Sequence, residues 1–218
     1  MIPAVILAAG RSTRMGQPKA LLPADASSTF LTRIIRTFRQ AGVDDVVVVL
    51  GHQAETIQER VREADLTARF AINHDYDRGQ LSSMLTGIRA IDRPDVIAML
   101  LTLVDVPFVS AATVRAVIDR YRATRAPVVR PVRGALHGHP VLIDRGLFDA
   151  LRAADPAEGA KPIVRAHVSD AGNVEIEDDG AYLDVDTPEE YARALERFRS
   201  STVRPGSESS RGSRGTAD

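Results

Sequence analysis

Short runs of β-branched and aliphatic residues alternate with segments of helical periodicity along most of this chain. The strand-like runs cover residues 4–8, 45–50, 69–73, 96–104 and 128–132. Apolar residues recur at helical spacing over residues 29–38, 54–64, 82–91, 111–122, 147–153 and 188–199. Such alternation is typical of βαβ units, and the nearly continuous apolar runs favour strands covered on both faces. The sequence therefore predicts an α/β fold with a mainly parallel sheet.

The composition excludes several classes of function. The chain has 218 residues and no cysteine, which excludes iron–sulfur clusters, thiol redox chemistry and a cysteine nucleophile, so any metal must bind through oxygen or imidazole. The 28 Lys and Arg nearly balance the 29 Asp and Glu, so no overall positive field favours nucleic acid. No apolar run reaches the ~18 residues of a membrane span, and the first residues lack a signal-peptide pattern. We expect a cytoplasmic protein that binds neither nucleic acid nor a membrane.

The composition changes near residue 200. The last predicted helix begins with Thr187 as its N-cap and Pro188 in its first turn. Beyond that helix Ser, Gly, Arg and Pro dominate, and Val203 is the one sizeable apolar residue. Such a segment buries too little to offset the entropy of ordering. We expect one domain over residues 1–199 and a disordered tail over 200–218, whose arginines could alternatively contact a polyanion.

The segment after the first strand carries the clearest functional signal. It reads Leu7-Ala8-Ala9-Gly10-Arg11-Ser12-Thr13-Arg14-Met15-Gly16-Gln17-Pro18-Lys19. Ligands of parallel sheets bind beyond the carboxyl ends of the strands. Small residues let backbone N–H groups approach a ligand, and Arg14 and Lys19 add positive charge. The segment is neither a Walker loop nor a GxGxxG fingerprint. We predict that it binds a triphosphate; a flexible basic surface loop is the alternative.

The pattern LAAGxSxRMGxxKxLL resembles the signature of the MobA-like nucleotidyltransferases, and within them the molybdenum cofactor cytidylyltransferases. The likeness runs from residue 4 to about residue 198. It implies a Rossmann-like, three-layer α/β/α domain with a mixed, mainly parallel sheet. It also implies transfer of a nucleoside monophosphate to a phosphorylated acceptor with release of pyrophosphate. In that reaction residues 7–10 would contact the nucleotide, and Lys19 and Arg14 would be catalytic.

Acidic residues near Asp105 and Asp186 favour a magnesium site. Asp105 follows the most apolar run of the chain, where a carboxylate must face a cation, a donor or solvent. Side chains alternate along an extended segment, so Asp184 and Asp186 can face one ion together. Separate carboxylates suit a magnesium ion that keeps water and phosphate oxygens as further ligands. Capping of a following helix is the alternative for both sites, although Ser110 is a better cap than Asp105.

The resemblance ranks these carboxylates. Asp105-Val106-Pro107 stands where the family has DMP or DQP, whose Asp binds magnesium. The stretch from Asp184 to Glu190 resembles the family's DxDTPED element, in which the Asp before Thr-Pro is the usual second ligand. This implies Asp105 and Asp186 as ligands and leaves the participation of Asp184 open.

Three further segments are assigned by resemblance. A predicted helix opens after Gly79 with hydroxyls in its first turn, and helix N-termini offer free N–H groups to oxygen-rich ligands. In the family this segment holds the base and ribose, which implies Gly79, Ser82 and Ser83; N-capping by Ser82 is a compatible alternative. His139 lies in a GHPVL-like segment on the acceptor side. Lys161 lies in a GAK-like element, where it meets an acceptor phosphate or is simply solvated.

These observations predict a Mg²⁺-dependent transferase that moves CMP from CTP to the molybdenum cofactor. The preference for CTP rests on Ala9, where guanylyl members usually have Gly. Two alternatives stay open: a cytidylyltransferase for a sugar or polyol phosphate, and a non-catalytic protein that keeps the nucleotide pocket and serves a molybdoenzyme. A dehydrogenase is disfavoured because it would need an acidic residue after the second strand, where the sequence is Leu50-Gly51-His52-Gln53.

Overall fold

The computed structural model describes residues 1–200, with side chains described to residue 198. The strands of this part are Ala4–Ala8 (β1), Val46–Leu50 (β2), Arg69–Ile72 (β3), Ala98–Leu103 (β4), Val128–Arg133 (β5), Leu136–His137 (β6), Val141–Asp144 (β7) and Asn173–Glu175 (β8). The α-helices of this part are Phe30–Gln40 (α1), Ala54–Glu63 (α2), Gln80–Ile91 (α3), Ala111–Thr124 (α4), Phe148–Arg152 (α5), Lys161–Ala166 (α6) and Pro188–Ser200 (α7).

The strands form a single mixed sheet in the order β3-β2-β1-β4-β7-β5-β6, with β8 also paired to β5. The first four strands are mutually parallel, whereas β7 runs antiparallel between β4 and β5. Leu7 of β1 pairs with Leu103 of β4, and the backbone N–H of Val104 donates to the carbonyl of Leu7 over 3.1 Å. The loops that follow β1 and β4 therefore begin side by side.

Both faces of the sheet are covered, as the apolar runs predict. On one face Ile6 and Val48 pack with side chains of α1, α2 and α4, such as Ile34. On the other face Val5 and Val49 pack with α3 and α5. Successive side chains of each strand point to opposite faces of the sheet, so one apolar strand contributes to the cores on both faces. The predicted three-layer α/β/α architecture is confirmed.

Every predicted strand and helix is present, and each end lies within two residues of its predicted position. The sequence did not reveal β6, β7, β8 or α6, because these short elements lack a repeating pattern. Helix α1 ends at Gln40, shortly before Gly42, which takes a positive φ of 84° that suits the end of a helix. Ser110 caps α4 by accepting from the backbone N–H of Thr113 over 3.2 Å, as expected.

One helix start differs from its prediction. Helix α3 begins at Gln80 rather than Ser82, with Gly79 as its N-cap at φ 92°. A positive φ suits glycine, which has no Cβ to clash. Within residues 1–200 no helix is long and apolar enough to cross a membrane. The predicted tail covers residues 200–218; Ser200 is instead the last residue of α7, and residues 201–218 lie outside the described part of the chain.

Candidate active site

A cavity of about 370 Å³ opens at the carboxyl edge of the sheet, beside the loop that follows β1. The β1–β4 pairing brings this loop next to Asp105, which follows β4. Ten of the residues predicted for the site line the cavity: Leu7, Ala8, Ala9, Gly10, Arg14, Lys19, Gly79, Ser83, Asp105 and Asp186.

The loop folds back on itself to bring its lysine to the sheet edge. Ser12 and Gly16 both take left-handed backbone conformations, with φ of 52° and 66°. The hydroxyl of Ser12 then accepts a hydrogen bond from the backbone N–H of Lys19 over 3.0 Å. This contact closes the loop between residues 12 and 19. The start and the end of the loop therefore lie against the same cavity.

Lys19 lies between two carboxylates that are far apart in the sequence. Its Nζ donates to Asp105 Oδ2 over 3.2 Å and to Asp186 Oδ1, and its side chain is only 11% exposed. Arg14 pairs with the other oxygen of Asp186 over 3.1 Å. The hydrogen bond from Lys19, together with the charges of Lys19 and Arg14, lowers the pKa of Asp186. Asp186 is therefore ionised throughout the neutral range.

Asp105 has one unused oxygen. Its Oδ1 atom is buried and has no hydrogen-bond partner among the described residues. A buried carboxylate oxygen without a donor is costly unless a cation satisfies it. Desolvation raises the pKa of Asp184, and the charge of Asp105 raises it further. In residues 1–200 no group of three or more His, Asp or Glu side chains is arranged to hold a metal by itself.

Asn73 organises the start of α3. It is buried at the end of β3, and its Nδ2 donates to the hydroxyls of Ser82 and Ser83 over 2.9 and 3.0 Å. Ser82 in turn can donate to the carbonyl of Gly79 over 2.8 Å. N-capping by Ser82 is therefore wrong, because the helix starts two residues earlier and this hydroxyl holds the preceding loop. Ser83 lines the cavity, whereas Ser82 lies outside the set of described lining residues.

Tyr76 is a lining residue that sequence reasoning missed. Its ring packs directly on Gly51, where an added Cβ would lie 2.7 Å from the ring. The guanidinium of Arg11 lies 5.6 Å from the ring centroid and also pairs with Asp77 through two hydrogen bonds, of 3.0 and 2.6 Å. This contact joins the loop after β1 to the loop after β3. The sequence signal that could have identified Tyr76 is an aromatic residue shortly after the end of a predicted strand.

The two predicted acceptor residues are not among the described residues that line this cavity. His139 precedes β7, on the opposite side of β4 from the β1 loop, and its Nδ1 lies 3.4 Å from the carbonyl oxygen of Leu101. Burial lowers the pKa of His139, against the opposing charges of Asp184 and Asp105. Lys161 is exposed at the start of α6 and has no ion pair with any described residue. Neither residue is among the described lining residues.

The mixed sheet and its loop cavity define an α/β domain of the nucleotidyltransferase type. The family model for the MobA-like NTP transferase domain matches residues 4–171, which is most of the chain. The protein thus belongs to the MobA-like NTP transferase family, and the resemblance stated from the sequence is confirmed.

Relatives within this similarity carry names from different reaction classes. Nicotine blue oxidoreductase of Paenarthrobacter nicotinovorans is 32% identical over 198 residues, covering 88% of this chain and 95% of that protein. Molybdenum cofactor cytidylyltransferase of Escherichia coli K12 is 26% identical over 199 residues, covering 90% of this chain and 97% of that protein. The finer activity is therefore not decided by similarity alone.

Solved structures match the fold over nearly its whole length. The crystal structure of Rv0371c from Mycobacterium tuberculosis H37Rv is 33% identical with a TM-score of 0.73, covering 89% of this chain and 97% of that chain. A crystal structure of Rv0371c in complex with manganese has a TM-score of 0.69 and 30% identity, covering 89% of this chain and 98% of that chain. A divalent metal has thus been observed with a similar protein.

Proposed function

We propose that this protein is a magnesium-dependent cytidylyltransferase that transfers CMP from CTP to the phosphate of a molybdenum cofactor and releases pyrophosphate. The observation that carries the proposal is the convergence of Lys19, Arg14, Asp105 and Asp186 at the cavity beside the β1 loop. A triphosphate needs cations and free backbone N–H groups, and a metal needs carboxylate oxygens. The cavity presents the cations of Lys19 and Arg14 and the carboxylates of Asp105 and Asp186.

The proposed reaction is an in-line displacement at the α-phosphorus. An oxygen of the acceptor phosphate forms the new bond to this phosphorus, and the bond to the bridging oxygen of the β-phosphate breaks with its electron pair leaving on pyrophosphate. A terminal phosphate is already largely ionised near neutral pH, so no general base is required. Catalysis then consists of positioning and charge neutralisation. Lys19 would bind the α-phosphate, and Arg14 with the loop N–H groups would bind the departing pyrophosphate.

The carboxylates fit a divalent metal. Asp105 Oδ1 is buried without a hydrogen-bond partner in the described part of the chain, which is the state expected of an oxygen kept for a cation. Asp105 and Asp186 would hold the ion, and water and phosphate oxygens would complete its ligands. Magnesium bound there would supply neutralisation of phosphate charge. The manganese complex of the similar Mycobacterium tuberculosis protein supports a divalent ion.

The choice of CTP and of the acceptor has separate support. Ala9 lines the cavity at the position where guanylyl members of the family usually have Gly. The similar Escherichia coli protein is named as a molybdenum cofactor cytidylyltransferase. Gly79, Ser82 and Ser83 would hold the base and ribose, with Ser82 acting through the loop it bonds. His139 and Lys161 would contact the acceptor, and a molybdoenzyme would receive the product in the cytoplasm.

An oxidoreductase is the second candidate, because the similarity to nicotine blue oxidoreductase extends over most of both chains. A nicotinamide dinucleotide carries a pyrophosphate that the β1 loop could bind. After β2, however, the chain presents Gly51, His52 and Gln53 rather than the carboxylate that grips an adenosine ribose in NAD enzymes. Binding of NADH and NADPH, measured by fluorescence beside binding of CTP, separates the two candidates.

The decisive experiment measures pyrophosphate release with Mg²⁺ and each of CTP, GTP, ATP and UTP. The acceptors are molybdenum cofactor and a panel of sugar and polyol phosphates. We expect release with CTP and molybdenum cofactor, and its loss in Asp105→Ala and Lys19→Ala. Asp119→Ala, at an exposed position on α4, is the matched control and should keep full activity. Full activity of folded Asp105→Ala would overturn the metal assignment, and CTP binding without release from any pair would favour the non-catalytic accessory protein.

A further inference from the structure

The two carboxylates assigned to the metal are in different states. Both oxygens of Asp186 are already engaged by cations, Oδ1 by Lys19 and Oδ2 by Arg14 at 3.1 Å. Asp105 shares only its Oδ2 with Lys19, at 3.2 Å, and its buried Oδ1 has no hydrogen-bond partner within the described residues. Asp105 therefore keeps one oxygen that no cation engages, whereas both oxygens of Asp186 are engaged.

Lys19 and a divalent ion compete for Asp186. A metal ligand oxygen lies about 2.1 Å from Mg²⁺, so an ammonium on the same carboxylate would stand beside the ion with like charge. Screening by water is reduced on the Lys19 side, because the Lys19 side chain is only 11% exposed, whereas the Asp186 side chain is 36% exposed. Arg14 covers the remaining oxygen from the solvent side, with 65% of its side chain exposed. Asp186 becomes available only when both cations move.

The cations that cover Asp186 are the same two that the proposed reaction assigns to the triphosphate. We propose that Lys19 and Arg14 are resident counter-ions of Asp186, and that a nucleoside triphosphate draws both away and so converts Asp186 into a metal ligand. This inference rests on the proposed function. Its consequence is thermodynamic coupling: metal and nucleotide each bind more tightly when the other is present, by the same factor.

Binding of Mn²⁺, read by the electron paramagnetic resonance of the free ion, tests the counter-ion role without any turnover. In the absence of nucleotide, we expect Lys19→Met to bind Mn²⁺ about tenfold more tightly than the wild type, because the competing charge is gone. Lys19→Arg should retain the weak binding of the wild type. Arg14→Met should gain a smaller factor, and its exposed position keeps the test valid if Lys19→Met fails to fold. Arg120→Met, on the exposed side of α4, is the matched control and should bind as the wild type does.

The second arm repeats the titration with α,β-methylene-CTP, after correction for the metal that the free nucleotide binds. The wild type should gain Mn²⁺ affinity with nucleotide, and this gain should shrink in Lys19→Met and Arg14→Met. Unchanged or weaker Mn²⁺ binding in both variants without nucleotide would overturn the inference. It would also be overturned if the wild type binds the nucleotide but its Mn²⁺ affinity does not change. Tighter Mn²⁺ binding in Lys19→Met, together with a wild type that binds no nucleotide at all, would support the counter-ion role and overturn the proposed function instead.

Discussion

Glu190 holds the backbone of Asp186 from the first turn of α7. Its Oε2 accepts hydrogen bonds from the backbone N–H of Asp186 over 2.8 Å and of Thr187 over 3.0 Å. The Thr187 hydroxyl accepts in return from the N–H of Glu190 over 3.2 Å, which completes a capping box. The bond from Asp186 is the main reason that the pKa of Glu190 is lowered. A helix cap thus anchors one carboxylate of the site.

Substitution of Glu190 should impair catalysis through the position of Asp186. We expect Glu190→Ala to reduce kcat/KM for pyrophosphate release about tenfold, because small displacements of a binding group are costly in rate. Glu190→Gln keeps an acceptor oxygen and should retain most activity. Glu189→Ala, a neighbouring exposed carboxylate, is the control. Wild-type kinetics in Glu190→Ala would show that the cap does not position the site.

Thr187→Ala should lower the free energy of unfolding by about 1 kcal/mol in a urea titration.

Lys19 and Lys161 are the chain's two lysines, which allows a direct footprint of both proposed substrate sites. With an amine-acylating reagent and peptide mass spectrometry, Lys161 should react faster, because it is exposed while the Lys19 side chain is only 11% exposed and ion-paired. CTP with Mg²⁺ should slow acylation of Lys19 further and leave Lys161 unchanged. The acceptor should slow acylation of Lys161. Protection of Lys161 by CTP, with none at Lys19, would contradict both assignments.

Gly51 should tolerate no side chain. A Cβ there would lie 2.7 Å from the ring of Tyr76 and 2.8 Å from the carbonyl oxygen of Ala9, which belongs to the nucleotide loop. We expect Gly51→Ala to weaken CTP binding about tenfold in calorimetry and to cost roughly 1–3 kcal/mol of stability from overpacking.

Two further variants show which contact causes the loss of CTP affinity expected in Gly51→Ala. Gly42→Ala is strained by its φ of 84° but lies in the turn after α1, so it should lose stability and keep CTP affinity. Tyr76→Leu removes the ring alone and separates its contribution from that of the Ala9 carbonyl. Unchanged CTP affinity in Gly51→Ala would mean that the loop adjusts without cost to binding.

Asp25 should make stability fall in acid. Partial burial acts to raise its pKa, but hydrogen bonds from Ser28 and Ser27 and the charge of Arg33 outweigh this and lower the pKa to about 2. Because the pKa of Asp25 in the folded protein lies below its ordinary value of 3.8, the stabilisation is present above that value and is lost as the pH falls through about 2.

Urea titrations at several pH values check this assignment. Asp25→Asn should be less stable than the wild type at pH 7, and the difference should disappear as the pH approaches about 2. Ser28→Ala, which removes one donor, should show the same trend with a smaller difference. A difference that stays constant across this range would contradict the assignment.

Much of the fold and part of the site were predictable from the sequence because the signals are local. Apolar periodicity identifies an element wherever a face is buried, so the five predicted strands and six predicted helices are all present. The small residues of the β1 loop and the carboxylate that follows β4 are also local signals, and they indicate which edge of the sheet carries the site. The capping alternative for Ser82 failed because the positive φ of Gly79 starts α3 two residues earlier, a backbone choice that the hydroxyls do not reveal.

Contacts between residues distant in the chain were decided only by the tertiary structure. Lys19 meets Asp105 and Asp186 across separations of 86 and 167 residues, and Tyr76 packs on Gly51 from another loop. These meetings follow from the order of strands, with β1 between β2 and β4 and an antiparallel β7 beyond them. Strand periodicity reports the burial of a segment but not which neighbour covers it. The residue types of the site therefore follow from the sequence, whereas the neutralisation of Asp186 by two cations emerges only from the assembled sheet.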